Sequence, residues 1–99
     1  MIKRIVSIKL KPEAENTFLE IFRLVKDQIR SQKGCLGLEL LRHQDRGETS
    51  LWTISFWQSE GDLETYRNSE LFLNTWSAVK PLFTAKAEAW TLIPIESIE

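Results

Sequence analysis

The first ten residues alternate between apolar and basic side chains in the way that a half-buried strand does. Within residues 2–11, Val6 and Ile8 fall on one face, whereas Lys9 and Lys11 fall on the other. Pro12 follows, and proline suits the first turn of a helix better than the continuation of a strand. The pattern therefore predicts a strand that ends at Pro12 and leads into a helix.

Apolar residues then recur at helical spacing until a glycine interrupts them. They occupy positions i, i+4, i+7 and i+11, and they are Phe18, Phe22, Val25 and Ile29. This spacing places them on one stripe, which predicts an amphipathic helix that buries that stripe and stops by Gly34.

The rest of the chain predicts three more strands and two short helices. The strands span residues 36–43, 49–57 and 85–95, with a turn at 44–48 around Gly47. Ser59 and Ser69 each stand where a helix N-cap is expected, and Pro81 closes the second helix. The order βαββαβ predicts an α+β, ferredoxin-like fold with a four-stranded antiparallel sheet, in one domain over residues 1–99.

Both faces of this sheet are predicted to be apolar. If Val6, Leu38 and Ile54 face the helices, the opposite face still carries large hydrophobic residues. These are Ile5, Leu41, Leu51 and Trp57. An apolar outer face predicts a partner, and the simplest partner is a second copy packed sheet against sheet in a homodimer.

Composition excludes several classes of function. Lys and Arg number 13 against 14 Asp and Glu, so there is no basic footprint for nucleic acid. The single cysteine cannot form an internal disulfide, which suits a reducing compartment. The N-terminus lacks the apolar run of a signal peptide, and no segment is apolar over a membrane's thickness. We expect a cytoplasmic protein without membrane association.

The unusual feature is a group of aromatic residues around the third strand and the helices after it. It comprises Phe22, Trp52, Phe56, Tyr66, Phe72 and Trp76. Such residues can fill a core, or they can wall a pocket for a flat ligand. Tyr66 and Trp76 are the strongest pocket candidates, because a buried hydroxyl or indole N–H needs a partner.

Two arginines share strand faces with apolar residues. Arg4 and Arg42 can each reach solvent or a carboxylate such as Glu20, or can hold the anionic group of a ligand. Cys35 is typical of a small buried hydrophobe, and His43 has no companion at metal-ligand spacing. We expect no metal site.

Two segments resemble the antibiotic biosynthesis monooxygenase family, whose members are dimeric α+β barrels. The segments are "GCLGLEL", Gly34 to Leu40, and "WQSEGDLETYRNSELF", Trp57 to Phe72. The matching residues in the second segment are Trp57, Ser59, Leu63, Ser69 and Phe72. The sequence departs from the family where Ser55 replaces a frequent Glu and where Tyr66 replaces a frequent His.

The resemblance implies a cofactor-independent monooxygenase acting on a phenolic or quinol-like aromatic molecule. A non-catalytic, ligand-binding or stress-associated dimer on the same fold is the alternative. Haem-degrading members use an Asn, a Trp and an axial His, and the corresponding positions here are Val6, Tyr66 and Trp76. Because haem iron needs an axial ligand, the sequence argues against haem degradation.

Overall fold

A computed structural model describes residues 1–44 and 48–98, and the chain folds there as four strands and three α-helices. The elements in chain order are β1 Ile2–Leu10, α1 Glu15–Arg30, β2 Cys35–Gln44, β3 Thr49–Trp57, α2 Glu60–Arg67, α3 Glu70–Val79 and β4 Glu88–Leu92. All strand pairs are antiparallel and the sheet order is β2-β3-β1-β4. The predicted α+β, ferredoxin-like fold is confirmed. Residues 45–47 of the predicted turn lie outside the described residues.

The predicted helix starts are confirmed in detail. The Ser59 hydroxyl accepts a hydrogen bond from the Asp62 backbone N–H at 3.1 Å, and the Ser69 hydroxyl accepts one from the Phe72 N–H at 3.2 Å. Each bond satisfies an N–H group that the helix itself leaves unpaired. Ser69 therefore begins a new helix, and α2 and α3 are separate helices.

Two other boundaries differ from the sequence pattern. Pro12 opens a short 3₁₀ turn, Pro12–Ala14, before α1 begins. The last strand is shorter than predicted, since only Glu88–Leu92 pairs with β1 whereas 85–95 was expected. The apolar content of residues 85–95 led to the longer prediction, but only Lys3 to Ser7 of β1 have partners in β4.

The phase of β3 is the main correction to the sequence-based prediction. Leu51 pairs with Ile8 and Trp57 pairs with Ile2, so both lie on the face that the helices cover. They are 2% and 0% exposed. Ile54 instead pairs with Ile5 on the opposite face. Since directly paired residues of antiparallel strands share a face, the predicted inward Ile54 and outward Leu51 and Trp57 are wrong.

The buried residues under the helices form two separate clusters. One contains Ile8, Leu10, Phe18, Leu51 and Val79, and the other contains Ile2, Cys35, Trp57 and Leu63. The first includes Phe18 of α1 and Val79 of α3, and the second includes Leu63 of α2. The space between these clusters is the site described next.

The outer face of the sheet carries a band of partly exposed apolar side chains. Trp52 stacks on Trp90 with ring centroids 6.0 Å apart, and Leu41 and Leu92 are close to half exposed. Ile5 lies between Ile54 and Trp90 in the strand register. The predicted apolar outer face therefore exists, although two of its predicted members belong to the core. Within the described part of the chain, no helix is both long and apolar enough to cross a bilayer.

Candidate ligand-binding site

A cavity of about 330 Å³ lies between the helices and the inner face of the sheet. Its floor includes Val6 and Thr53, which are directly paired on β1 and β3. Phe22 of α1 forms part of one wall, and Trp76 of α3 forms part of another. This volume lies at the lower end of the range for small-molecule pockets, and its lining is mainly apolar.

An aromatic row follows α2 and α3 along the cavity. Neighbouring ring centroids are 5.0 to 5.9 Å apart, in the order Trp57, Tyr66, Phe72, Trp76 and Phe83. Stacked and edge-to-face pairs alternate with one another, which are the arrangements that aromatic rings prefer. The break at Ser69 lets Tyr66 from α2 and Trp76 from α3 line the same cavity. Three members of the row, Tyr66, Phe72 and Trp76, line the cavity.

Tyr66 brings a hydroxyl to this wall, and it is the only tyrosine in the chain. Burial raises the pKa of its hydroxyl to about 12, and the neighbouring Cys35 thiol adds to that rise. The hydroxyl is therefore protonated at neutral pH and acts as a hydrogen-bond donor. Tyr66 cannot serve as a general base under those conditions.

Polar groups gather around one pair of the sheet register. Arg4 on β1 lies directly opposite Ser55 on β3, and both line the cavity together with Arg67 at the end of α2. The Ser55 hydroxyl accepts a hydrogen bond from the Trp57 indole N–H at 2.9 Å. Its own O–H is consequently free to donate elsewhere.

The charges at this end are only partly balanced. Arg4 donates to the neutral Thr91 hydroxyl at 2.9 Å, whereas Arg67 pairs with Glu64 at 2.8 Å. Burial lowers the pKa of the Arg4 guanidinium, the nearby Arg67 lowers it further, and Glu64 opposes the change. Among the described residues that line the cavity there is no Asp, Glu or His.

The structure brings five of the predicted site residues together and separates the others. Those that line the cavity are Phe22, Tyr66, Phe72, Trp76 and Arg4. Trp52 and Phe56 were also predicted to wall it, and that prediction is wrong, because their β3 positions alternate with those of Thr53 and Ser55 and so face outward. Phe56 lies against Gly37 and under the Lys3 ammonium on that outer face.

Arg42 does not reach the cavity. Its Nε donates to Glu15 at 2.7 Å near the start of α1, and its side chain is largely exposed. The alternative that Arg42 pairs with a carboxylate is therefore the correct one, although the partner is Glu15 and not Glu20. The position of Arg42 in its strand predicted the correct face of the sheet. Its long side chain, however, carries the guanidinium out to Glu15 and to solvent.

Four polar residues that line the cavity were not among the predicted site residues: Thr53 and Ser55 on β3, Arg67 at the end of α2, and Thr75 on α3. The two hydroxyls are two residues apart on β3, so a correct strand phase would have found them. Arg67 carries no comparable signal, because a basic residue in the last turn of a helix is common on the surface.

Cys35 and His43 lie apart from any arrangement that suits a metal. Cys35 is buried in the second core cluster, and His43 packs edge-on against Trp52 on the outer face. In the described ranges, no group of three His, Cys, Asp or Glu side chains comes close enough together to hold a metal ion.

A family model described as antibiotic biosynthesis monooxygenase matches residues 1–76. The matched range ends at Trp76, so it includes β1 to β3, the aromatic row as far as α3, and the Arg4, Ser55 and Arg67 group. None of the curated proteins compared with the chain matches it.

Solved structures share the fold at low sequence identity. A crystal structure of an antibiotic biosynthesis monooxygenase has a TM-score of 0.85 at 22% identity, covering 97% of this chain and 100% of that one. SnoaB, a cofactor-independent oxygenase from Streptomyces nogalater, has a TM-score of 0.85 at 18% identity, covering 98% and 95%. Rv0793 from Mycobacterium tuberculosis has a TM-score of 0.82 at 22% identity, covering 99% and 98%. At these identities the likeness establishes the fold.

Proposed function

The chain belongs to the antibiotic biosynthesis monooxygenase family, and we propose that it is a cofactor-independent monooxygenase that oxidises a phenolic or quinol-like aromatic molecule with O₂. The observation that carries the proposal is the aromatic-walled cavity of about 330 Å³ beneath the helices. A planar ligand gains stacking area there, and a ligand bound in this mainly apolar cavity displaces water from around its ring. The similarity in fold to SnoaB, a cofactor-independent oxygenase, supports the same proposal.

The substrate itself supplies the electrons in such a reaction. With 1-naphthol as the example, one atom of O₂ becomes the new carbonyl oxygen of 1,4-naphthoquinone. The other atom leaves as water with the two hydrogens lost from the hydroxyl and from the oxidised ring carbon. The protein contributes by orienting the ring, excluding water and stabilising the electron-rich anion.

Each proposed site residue has a distinct part in that work. Phe22, Phe72 and Trp76 position the ring system through contact with their flat faces. Tyr66 donates its hydroxyl hydrogen to a ligand oxygen, because its raised pKa keeps that hydrogen in place. Arg4 stabilises negative charge on the ligand.

The direct test is incubation of the purified protein with 1-naphthol under ¹⁸O₂. We expect one ¹⁸O atom in the naphthoquinone product and oxygen uptake above the rate without protein. A Trp76→Ala variant, which removes a cavity wall, should lose most of that uptake. Oxygen uptake by both the wild type and the variant at no more than the protein-free rate would reject the proposal for this class of substrate.

A non-catalytic ligand-binding function is the second candidate, and a specific observation favours it. No described residue lining the cavity is an Asp, Glu or His that could take a proton from a phenol, and Ser55 occupies the position where the resemblance led us to look for Glu. Under this candidate, 1-naphthol binds in the cavity but no labelled oxygen enters it. Binding measured under nitrogen, compared with turnover under ¹⁸O₂, separates the two functions.

We also propose that the chain forms a homodimer through the outer face of the sheet. Ile5, Leu41, Ile54 and Trp90 form the centre of this surface in the corrected register, and Leu41 and Trp90 are 46% and 40% exposed. Removing such side chains from water is favourable in proportion to the apolar area that is buried. A stable dimer should bury more than roughly 1,000 Å² in total.

A further inference from the structure

We propose that the cavity selects aromatic ligands that carry a negative charge, a carboxylate or an ionised phenol, and holds that charge between Arg4 and Arg67. The inference rests on the proposed function only in placing an aromatic ligand in this cavity. It adds the charge of the ligand and assigns Arg67, which lay outside the predicted site, to its recognition.

The polar end of the cavity carries an excess of positive charge. Arg4 and Arg67 both line the cavity, and Glu64 pairs with Arg67 by a 2.8 Å contact within α2. The hydrogen bond of Arg4 goes to the neutral Thr91 hydroxyl. Two cations and one carboxylate leave one positive charge, and that charge centres on Arg4, whose guanidinium has further N–H groups to donate.

Four polar side chains that line the cavity, Arg4, Arg67, Tyr66 and Ser55, can donate hydrogen bonds to a ligand. The two guanidinium groups have no acceptor atom, and the Tyr66 hydroxyl keeps its hydrogen. The Ser55 hydroxyl accepts from the Trp57 indole, and its hydrogen can be donated to a ligand. An oxyanion can accept from several such donors at once, whereas a neutral phenol must also find an acceptor for its own hydrogen.

The position of this group fits a ligand with its charge at one end of a flat ring system. Arg4 and Ser55 are opposite each other in the strand register, and Arg67 directly follows Tyr66 in the chain. Tyr66 in turn contacts Phe72 at a centroid distance of 5.3 Å. The charged end therefore adjoins the aromatic row, and a ring stacked on that row extends away from the arginines.

The energetic state of Arg4 supports the same conclusion. Burial and the proximity of Arg67 both lower the pKa of its guanidinium, which means that its positive charge is less stable there than in water. A ligand anion placed between the two arginines offsets that unfavourable environment. A neutral ligand would leave the Arg4 charge in its unfavourable environment and would also displace water from the guanidinium.

The test compares two probes of the same ring system under nitrogen at neutral pH, 1-hydroxy-2-naphthoate and 1-naphthol, by isothermal titration. The two differ in one carboxylate, which is ionised. We expect the naphthoate to bind about tenfold more tightly or better, because hydrogen bonds to ionised groups are the stronger class. Arg4→Met and Arg67→Met should each remove most of that preference while changing naphthol affinity by less than about threefold.

Two controls keep the result interpretable. Arg23→Met removes an exposed arginine of α1 that does not line the cavity, so the preference should be unchanged. Arg4→Lys retains the charge and should retain much of the preference, even if Arg4→Met alters stability. Melting temperatures of all variants show whether the fold persists.

Three outcomes would overturn the inference: equal binding of the two probes, equal weakening of both by Arg4→Met, or no binding of the naphthoate at millimolar concentration. Because the experiment excludes oxygen, it does not depend on turnover. A clear anion preference in a protein that never incorporates ¹⁸O would leave this inference standing and reject the monooxygenase proposal.

Discussion

The two faces of the sheet are both rich in large side chains, but they use them differently. On the inner face, Trp57 is fully buried and stacks on Tyr66 beside a cavity that also contains polar groups. On the outer face, Trp52 and Trp90 stack on one another with the Trp90 ring 40% exposed. The inner face borders a cavity beneath the helices, whereas the outer face is an uncovered, partly exposed apolar surface.

This difference shows that the more apolar side of a strand need not be the core side. In β3 the outward positions 52, 54 and 56 are Trp, Ile and Phe, whereas the inward positions 53 and 55 are Thr and Ser. Ligand cavities commonly combine an apolar lining with a few polar groups, and here Thr53 and Ser55 are two of those groups. A face that packs against another protein need not contain such groups.

The largest expected difference between the faces is in their effect on folding. Trp57→Ala should lower the free energy of unfolding by about 3–5 kcal/mol, because it opens a cavity in a fully buried cluster. Urea titration monitored by circular dichroism measures this loss. Trp52→Ala, in the same strand but on the outer face, is the matched control and should cost clearly less at protein concentrations where the chain is monomeric. Equal costs would contradict the assignment of the two faces.

The buried Tyr66 on the inner face should also make folding stability depend on pH in the alkaline range. The pKa of Tyr66 is about 12 in the folded chain, against about 10 for an exposed tyrosine. Below pH 10 the hydroxyl is protonated in both states. As the pH rises from 10 to 12 it ionises first in the unfolded chain, so stability falls, by about 2–3 kcal/mol in total.

Absorbance at 295 nm follows this ionisation directly, since Tyr66 is the only tyrosine. Tyr66→Phe should remove the tyrosine signal. Its stability should also fall less between pH 10 and 12 than the stability of the wild type does. A tyrosine that titrates near pH 10 in the folded protein would contradict the buried environment described for the cavity wall.

The outer face should govern association and leave the cavity unaffected. Trp90→Lys places a charge in the proposed dimer surface and should weaken dimerisation by about 2 kcal/mol or more, the scale of an interface hot spot. Sedimentation velocity at micromolar concentration measures the change. Lys86→Ala, at an exposed site outside β4, is a control that should leave association unchanged. A wild-type chain that stays monomeric would reject the dimer proposal.

The smallest effect is the contribution of one hydroxyl to ligand binding. Tyr66→Phe keeps the ring and its contacts with Trp57 and Phe72 but removes the donor. Affinity for 1-naphthol should fall by about 0.5–1.5 kcal/mol, and more for an anionic ligand. Isothermal titration of wild type and variant decides this, with Thr65→Val on the exposed side of α2 as a control. Unchanged affinity for a ligand that binds would remove Tyr66 from the site.

Local chemistry made most of the fold predictable from the sequence. Ser59 and Ser69 mark helix starts through specific backbone requirements, and both act as predicted, whereas Pro12 ends β1 and opens a 3₁₀ turn ahead of α1. The helical stripe from Phe18 to Ile29 is predictable because only one face of α1 meets the sheet.

The site was less predictable because its residues depend on register. Residues 50–57 carry large apolar side chains on both faces, so alternation alone does not choose the inward one. The pairing of Ile54 with Ile5 shows which face of the sheet each β3 residue occupies. It places Trp52 and Phe56 on the outer face, away from the site. Arg67 enters the site through the packing of α2, a contact that no spacing in the sequence encodes.

The most direct test of the central claim, that the ligand binds beneath the helices on the inner face, is to fill that space. Ala89 lines the cavity from β4 opposite Val6, and Ala78 lies on the exposed side of α3. Ala89→Phe should weaken 1-naphthol binding at least about tenfold in an anaerobic titration, because the new ring occupies the ligand's volume. Ala78→Phe should leave binding unchanged, and the melting temperatures of both variants should show that they remain folded. Wild-type affinity in a folded Ala89→Phe protein would contradict the account.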